Sequence, residues 1–154
     1  MTERVIFFRL LISAAISGVI GVERERHGRA AGFRTHILVG VGSCLIMLTG
    51  MYCADLYGLH VVDPTRMAAQ IISGIGFLGA GTIIRFSGSI RGLTTAASLW
   101  AVGGIGIAVG VGFYAGALLT GLIVIVALFA LSPIERAIRT KWRQTDDGGP
   151  GPDQ

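Results

Sequence analysis

The sequence predicts an all-α, polytopic membrane bundle of about five transmembrane helices, with the N-terminus outside and the C-terminus in the cytoplasm. Its 154 residues are 52% hydrophobic and 14% charged, whereas soluble domains average about 25% charged residues. Residues 67–84 are 18 positions without a charge, and a helix of that length measures roughly 27 Å, close to the thickness of the hydrocarbon core. Lipid offers the backbone no hydrogen-bonding partner, so such a segment must be helical.

Five apolar runs are the predicted spans, and they cover residues 5–22, 33–54, 67–84, 93–112 and 113–131. Only a short turn near residues 110–112 separates the last two. We assign residues 1–132 to the transmembrane domain. The first run is predicted to be a retained helix and not a signal peptide, because its main positive charge follows it. Arg9 lies inside this run, where it either extends to the interface or joins an intramembrane ion pair.

The connecting segments alternate in basic residues, and this alternation predicts the orientation. The segment between the second and third runs carries Asp55, Asp63 and one base, Arg66. The other segments hold Arg24, Arg26, Arg29, Arg34, Arg85, Arg91, Arg136, Arg139, Lys141 and Arg143. By the positive-inside rule the basic segments face the cytoplasm. They account for ten of the thirteen bases, so the net charge of +4 reflects topology and we expect no nucleic-acid partner.

Small residues predict how the third and fourth helices pack. The chain has 24 glycines, which let helix backbones approach closely in lipid. One face of each helix repeats small residues at i, i+4, i+7 and i+11: Ala69, Ser73, Gly76 and Ala80 in the third, and Ala97, Ala101, Gly104 and Ala108 in the fourth. We expect these two faces to touch, and Gly76→Leu to disrupt the assembly.

Asp63 opens the third helix in the sequence Asp-Pro-Thr-Arg. It can cap the N–H groups of Thr65 and Arg66 and pair with Arg66 at i+3, with Pro64 at the first helical position. Alternatively, Asp63 forms an acidic outer mouth with Asp55 and His60. Such a mouth could hold Mg²⁺ weakly, since that ion uses one or two carboxylates and retained waters.

Residues 23–26 are expected to form a solvated, salt-bridged loop after the first helix. Glu23 is nearest the bilayer, and its expected partner is Arg34 or Arg91. Interhelical hydrogen bonds are expected to use most of the uncharged polar side chains, namely Gln70, Ser73, Thr82, Thr94, Thr95 and Ser98. Trp100 lies well inside the fourth run, which favours a packing role over an interfacial anchor.

A capping box with proline at the first helical position, residues 132–135, predicts a new short helix. We expect residues 133–144 to lie on the cytoplasmic membrane surface and residues 145–154 to be disordered. Cys44 and Cys53 are nine positions apart on one helix and point to opposite faces, so they are not expected to pair. The three histidines are scattered and no catalytic motif occurs. We expect no cofactor, no metal centre and no enzymatic activity.

Four segments resemble the membrane domain of the MgtC/SapB family, in family order and spacing. They are residues 21–24 (Gly-Val-Glu-Arg), 31–36 (Ala-Gly-Phe-Arg-Thr-His), 63–81 (Asp-Pro-Thr-Arg-Met-Ala-Ala-Gln-Ile-Ile-Ser-Gly-Ile-Gly-Phe-Leu-Gly-Ala-Gly) and 90–100 (Ile-Arg-Gly-Leu-Thr-Thr-Ala-Ala-Ser-Leu-Trp). The likeness runs from about residue 18 to residue 112. It departs at Thr94, where members often carry asparagine. Many members also continue into a soluble cytoplasmic domain after the last span; we expect none here, which puts roles that need that domain in doubt.

The resemblance implies a bacterial inner-membrane protein of a family associated with magnesium limitation, virulence and acid stress. The best-known member is thought to restrain the proton-translocating ATP synthase and not to transport magnesium. We therefore favour a regulatory protein whose glycine-lined helices bind another membrane protein, or a second copy. The alternative is a small-cation transporter or channel, which the absence of midplane charges in the central helices disfavours. The candidate functional residues are Glu23, Arg24, Arg34, Asp63, Arg66, Gln70, Ser73, Gly76, Arg91, Thr94 and Trp100.

Overall fold

The described residues form five helices and one small antiparallel hairpin. The computed structural model describes the backbone of residues 1–58, 63–86 and 89–146, and the side chains as far as residue 130. In chain order the elements are α1 (Glu3–Arg26), α2 (Phe33–Tyr57), α3 (Pro64–Thr82), β1 (Ile84–Phe86), β2 (Ser89–Arg91), α4 (Leu93–Val111) and α5 (Tyr114–Asp146). The predicted all-α bundle of five helices is confirmed.

Three of the described helices, α1, α2 and α4, are long and apolar enough to cross a membrane by length and composition. The segment Tyr114–Ala130 of α5 is a shorter apolar helix. Helix α3 does not join this group, since Arg66, Gln70 and its glycines dilute its apolar residues. Large apolar side chains face outward along the bundle, such as Phe7 at 62% and Phe77 at 82% exposure. A bundle with this apolar exterior is a membrane protein; its orientation stays a prediction.

Helix α4 lies at the centre and packs against each of the other four helices. Buried apolar side chains from α1, α2, α4 and α5 meet around it in one core: Ile20, Cys44, Leu48, Val102, Ile105, Val109 and Ala117. A second cluster joins α3 to α2 and α4 through Met47, Ile71, Ile75 and Leu99, with Ala31 beside them. Gly112 turns the chain at φ +89 to connect α4 to α5, at the place where the sequence predicts the turn.

Glycines on α4 allow α2 to approach it closely. A Cβ added at Gly106 would lie 2.8 Å from the Cβ of Ser43, and one at Gly110 would lie 2.8 Å from the Cβ of Met47. Real Cβ contacts are longer than this, so only glycine permits the observed distance between these helices.

Helices α3 and α4 do pack together, but the predicted small-residue faces are wrong. Helix α3 buries Ile71, Ile75 and Gly79, and a Cβ at Gly79 would lie 3.4 Å from that of Ala96. The predicted α3 face is exposed: Ala69, Ser73, Gly76 and Ala80. A Cβ at Gly76 or Gly104 would meet nothing within 4 Å. Because large isoleucines fill the space between the helices, Gly76→Leu is no longer expected to disturb this contact.

The structure differs from several further predictions. Helix α5 continues through residue 146, so no separate helix begins at Ser132; Pro133 removes one backbone hydrogen bond without ending the helix. Residues 145 and 146 belong to α5, and the rest of the predicted disordered tail lies outside the described residues. Trp100 is 54% exposed, so its side chain points away from the core and does not have the predicted packing role within the chain. The loop with Arg85 and Arg91 is an antiparallel hairpin, with Arg85 opposite Ile90.

Candidate functional site

Buried polar side chains gather where α1 ends and α2 and α4 begin, a region we call the polar end. Glu23 is 4% exposed, Arg24 is 3% exposed and His36 is fully buried. Thr95 and Ser98, in the first two turns of α4, are buried beside them. Charged groups are almost never buried this deeply without partners, so their contacts determine what the region can do.

His36 connects α2 to α4. Its Nδ1 lies 2.8 Å from the Gly32 carbonyl oxygen, and its Nε2 lies 3.0 Å from Ser98 Oγ. The carbonyl can only accept, so Nδ1 carries a proton. The single proton of the Ser98 hydroxyl is shared between His36 Nε2 and the Thr95 carbonyl oxygen, which lies 2.8 Å from Ser98 Oγ. This chain of hydrogen bonds joins the first turn of α2 to the first two turns of α4.

Glu23 is paired within its own helix and the residue that follows it. Its Oε1 lies 3.0 Å from His27 Nδ1, and its Oε2 lies 3.6 Å from Arg24 Nη1. Glu23 therefore does not form the predicted pair with Arg34 or Arg91. Residues 23–26 are helical and partly buried and do not form the predicted solvated loop. The apolar run ends at Val22, but α1 extends four residues further, to Arg26, and Glu23 and Arg24 in this extension are buried.

Arg24 lines a polar cavity of about 490 Å³ at the polar end. Its Nε and Nη2 are buried and have no hydrogen-bond partner. The polar side chains around the cavity are Arg24, Arg29, Ser89, Arg91, Thr94 and Thr95. Two candidate residues that are far apart in the sequence, Arg24 and Arg91, therefore meet in one place.

Two glycines in the left-handed conformation shape this cavity. Gly28, at φ +61, lets the chain reverse after α1, and the Arg29 N–H then donates to the Arg24 carbonyl at 3.0 Å. Gly92, at φ +91, turns the chain from β2 into α4, and a Cβ there would overlap the Thr82 carbonyl oxygen. Glycine is required at position 92 both because φ is positive there and because no Cβ would fit.

The opposite end of the bundle holds Arg9 and Asp63. Arg9 Nη1 donates to the Gly110 carbonyl at 2.7 Å, and Nε donates to Tyr114 Oη at 3.1 Å. A cation at a helix C-terminus is stabilised by the helix dipole, so Arg9 stabilises the C-terminal end of α4. Arg9 is therefore not free at the interface, and among the described residues it forms no ion pair.

Asp63 is the N-cap of α3, as the sequence predicts. It accepts from the Thr65 backbone N–H at 2.8 Å and from the Thr65 hydroxyl at 2.6 Å. These hydrogen bonds hold the pKa of Asp63 below its usual value. The backbone N–H of Arg66 donates to the Asp63 backbone carbonyl at 3.2 Å.

Asp55, also expected in the acidic mouth, lies 3.9 Å from the N-terminal amine, and His60 lies outside the described residues. Within the part of the chain that is described, no three His, Cys, Asp or Glu side chains come close enough to hold a metal ion. Weak Mg²⁺ binding by the acidic mouth stays a prediction.

The exposed side of α3 carries three more candidates, Gln70, Ser73 and Gly76. Beside it, an apolar groove of about 650 Å³ runs between α2 and α3. Its lining includes Leu38, Ile46, Gln70, Ile71, Gly74 and Leu78. Gln70 therefore lies on the groove wall.

Nine of the eleven candidates thus divide among three places. Glu23, Arg24, Arg91 and Thr94 lie at the polar end, Asp63 and Arg66 at the start of α3, and Gln70, Ser73 and Gly76 on its exposed side. Arg34 and Trp100 are exposed on α2 and α4. Sequence reasoning missed His36, whose partner Ser98 is 62 positions away. A histidine within the apolar run of residues 33–54 was the available signal.

Comparison with known proteins places these residues in a family. The profile of the MgtC family matches residues 10–137. The chain is 48% identical over 109 residues to "Putative magnesium transporter YhiD" of Escherichia coli K12, covering 69% of this chain and 51% of that protein. It is 41% identical over 131 residues to MgtC of Salmonella typhimurium LT2, covering 82% and 54%.

With SapB of Bacillus subtilis the identity is 39% over 146 residues, covering 92% of this chain and 63% of that protein. The chain therefore spans between about half and two-thirds of the length of these relatives. No solved structure matches the chain.

Proposed function

The chain belongs to the MgtC family, and we propose that it is a bacterial inner-membrane protein that regulates another integral membrane protein by binding it. The process it serves is adaptation to magnesium limitation or acid stress. An ATP-synthase-like complex is the partner to test first, as the resemblance to the MgtC/SapB family implies. Binding through helix faces within the bilayer is the mechanism.

The observation that carries this proposal is the exposed small-residue face of α3. Ala69, Ser73, Gly76 and Ala80 are all exposed, and open space lies in front of Gly76. Helix association in lipid depends on close packing and on interhelical hydrogen bonds, which small and hydroxyl residues provide. A face of this composition that is exposed among the described residues fits a helix from another membrane protein, or from a second copy.

The groove between α2 and α3 extends this binding surface. It is apolar along most of its length, and Gln70 on its wall supplies an amide that can hydrogen-bond across a helix interface. An amide facing lipid is costly unless it is paired. We therefore place the partner helix along the exposed side of α3, in contact with Ser73 and Gln70.

Photo-crosslinking in native membranes tests this placement. A benzophenone amino acid at position 73 should give an adduct with a second membrane protein. The matched position is Phe8, which is 58% exposed on α1 and should give lipid adducts only. Gly76→Leu should reduce the adduct at position 73 without unfolding the chain, since its side chain enters open space. Lipid adducts alone at both positions would disprove the proposal.

Cation transport is the second candidate, because one relative carries a magnesium transporter name. Against it, the buried polar residues of α1 between Arg9 and Glu23 are Ser13 and Ser17, which carry no charge for a cation. Purified protein in liposomes should show no Mg²⁺ influx. Influx that Asp63→Asn abolishes, with Asp55→Asn as the comparison, would overturn the regulatory proposal.

A further inference from the structure

The buried side chain of Arg24 lacks most of its hydrogen-bond partners. It is 3% exposed, and two of its three guanidinium nitrogens, Nε and Nη2, have no partner. The third, Nη1, lies 3.6 Å from Glu23 Oε2, beyond hydrogen-bond distance. A buried guanidinium is costly unless acceptors surround it, and Arg24 lines the cavity, so it places uncompensated positive charge at the cavity wall.

The first turn of α4 supplies a second, independent set of donors to the same cavity. Its N-cap is Gly92, which has no side chain to cap the helix, and residues 93–95 all line the cavity. The first N–H groups of a helix have no intrahelical acceptors and lie at the positive end of its dipole. Such a helix start, with the hydroxyls of Thr94 and Thr95 beside it, binds anions.

The charge balance of the cavity points the same way. Arg24, Arg29 and Arg91 line it, and the carboxylate nearest to Arg24 is that of Glu23. Three arginines therefore line the cavity, and none of the described residues that line it is acidic. We propose that this cavity binds a phosphate group, carried either by soluble phosphate or by the headgroup of an anionic phospholipid.

Phosphate fits these donors better than a halide or a single carboxylate does. Its tetrahedral oxygens accept from several directions at once, and guanidinium groups bind two of them side by side. The helix amides, the two hydroxyls and the arginines approach the cavity from four elements: α1, the turn after it, β2 and α4. The cavity also lies at the ends of apolar helices, where lipid headgroups and soluble anions are both present.

The test uses the full chain purified in a neutral detergent. Inorganic phosphate is titrated by isothermal calorimetry, and anionic phosphatidylglycerol is compared with phosphatidylcholine by native mass spectrometry. Arg91→Gln removes one exposed guanidinium from the cavity. Arg34→Gln removes the same charge from an exposed position outside it, and serves as the matched control. Arg91→Gln should weaken binding about tenfold or more, as expected for a charge-assisted hydrogen bond, and Arg34→Gln should not.

If inorganic phosphate binds, and Arg91→Gln weakens that binding while Arg34→Gln does not, the cavity is assigned to a soluble anion. Retention of phosphatidylglycerol over phosphatidylcholine, reduced by Arg91→Gln alone, assigns it to a lipid headgroup. Arg24→Gln should abolish either signal, and circular dichroism establishes whether that variant folds. The proposal is overturned if the wild-type chain binds neither probe, or if Arg91→Gln and Arg34→Gln weaken binding equally.

Discussion

The contact between α2 and α4 depends on the absence of a side chain at Gly106, and one methyl group tests it. In Gly106→Ala the new Cβ would lie 2.8 Å from the Ser43 Cβ and 3.2 Å from the Cys44 backbone nitrogen, and it would overlap the Gly40 carbonyl oxygen. Backbone and Cβ atoms cannot rotate away, so the two helices must separate. Overpacking of this kind costs about 1–3 kcal/mol.

Gly104→Ala is the matched control, two positions away on the same helix. Its new Cβ would meet nothing within 4 Å. Both variants gain the same helix propensity, about 1 kcal/mol for alanine over glycine. That gain cancels when the two are compared, so Gly106→Ala should be the less stable by about 1–3 kcal/mol.

Reversible unfolding in mixed micelles, followed by circular dichroism as sodium dodecyl sulfate is added, measures both free energies of unfolding. The expected order is Gly104→Ala above wild type, with Gly106→Ala clearly below Gly104→Ala. Free energies that agree within about 0.5 kcal/mol would show that the helices accommodate a methyl group here. The reasoning from the α2–α4 distance would then be refuted.

Two further predictions use the same measurement. Gly92→Ala should destabilise the chain by about 1–3 kcal/mol, because residue 92 has φ +91 and its Cβ would overlap the Thr82 carbonyl. The control is Gly81→Ala, whose new Cβ enters open space. If Gly92→Ala and Gly81→Ala were equally stable, the prediction would be contradicted. Ser98→Ala should cost about 1–3 kcal/mol, since it leaves the fully buried His36 Nε2 without a partner. Ser73→Ala, on the exposed side of α3, should change nothing, and a matching loss there would argue against the role of Ser98.

Much of the fold followed from the sequence because a bilayer restricts what an apolar segment can form. The second helix was expected at residues 33–54 and occupies Phe33–Tyr57. Gly112 ends α4 where the turn between the last two helices was expected. The Asp63 cap was also predictable from the sequence, since a cap is a contact between neighbours in the chain. The hairpin after α3 was not, because its two strands of three residues carry too short a pattern.

The site was only partly predictable, and the reason is the same for each residue. Glu23 and Arg24 stand in a charged stretch that is typical of a solvated loop, yet α2 and α4 bury them. His36 belongs to a polar cluster because Ser98, 62 positions away, lies against it. No local pattern encodes either contact.

What the sequence alone determined is the class of protein, the approximate positions of its five apolar helices and its membership of one family. Hydropathy, length and local caps are properties of short segments. What only the tertiary structure decided is which side of each helix is buried. In water a polar side marks the exposed face, but in lipid the exposed face is apolar too. For that reason the small residues of α3, expected inside, lie outside, and the arginine expected in solvent closes a cavity.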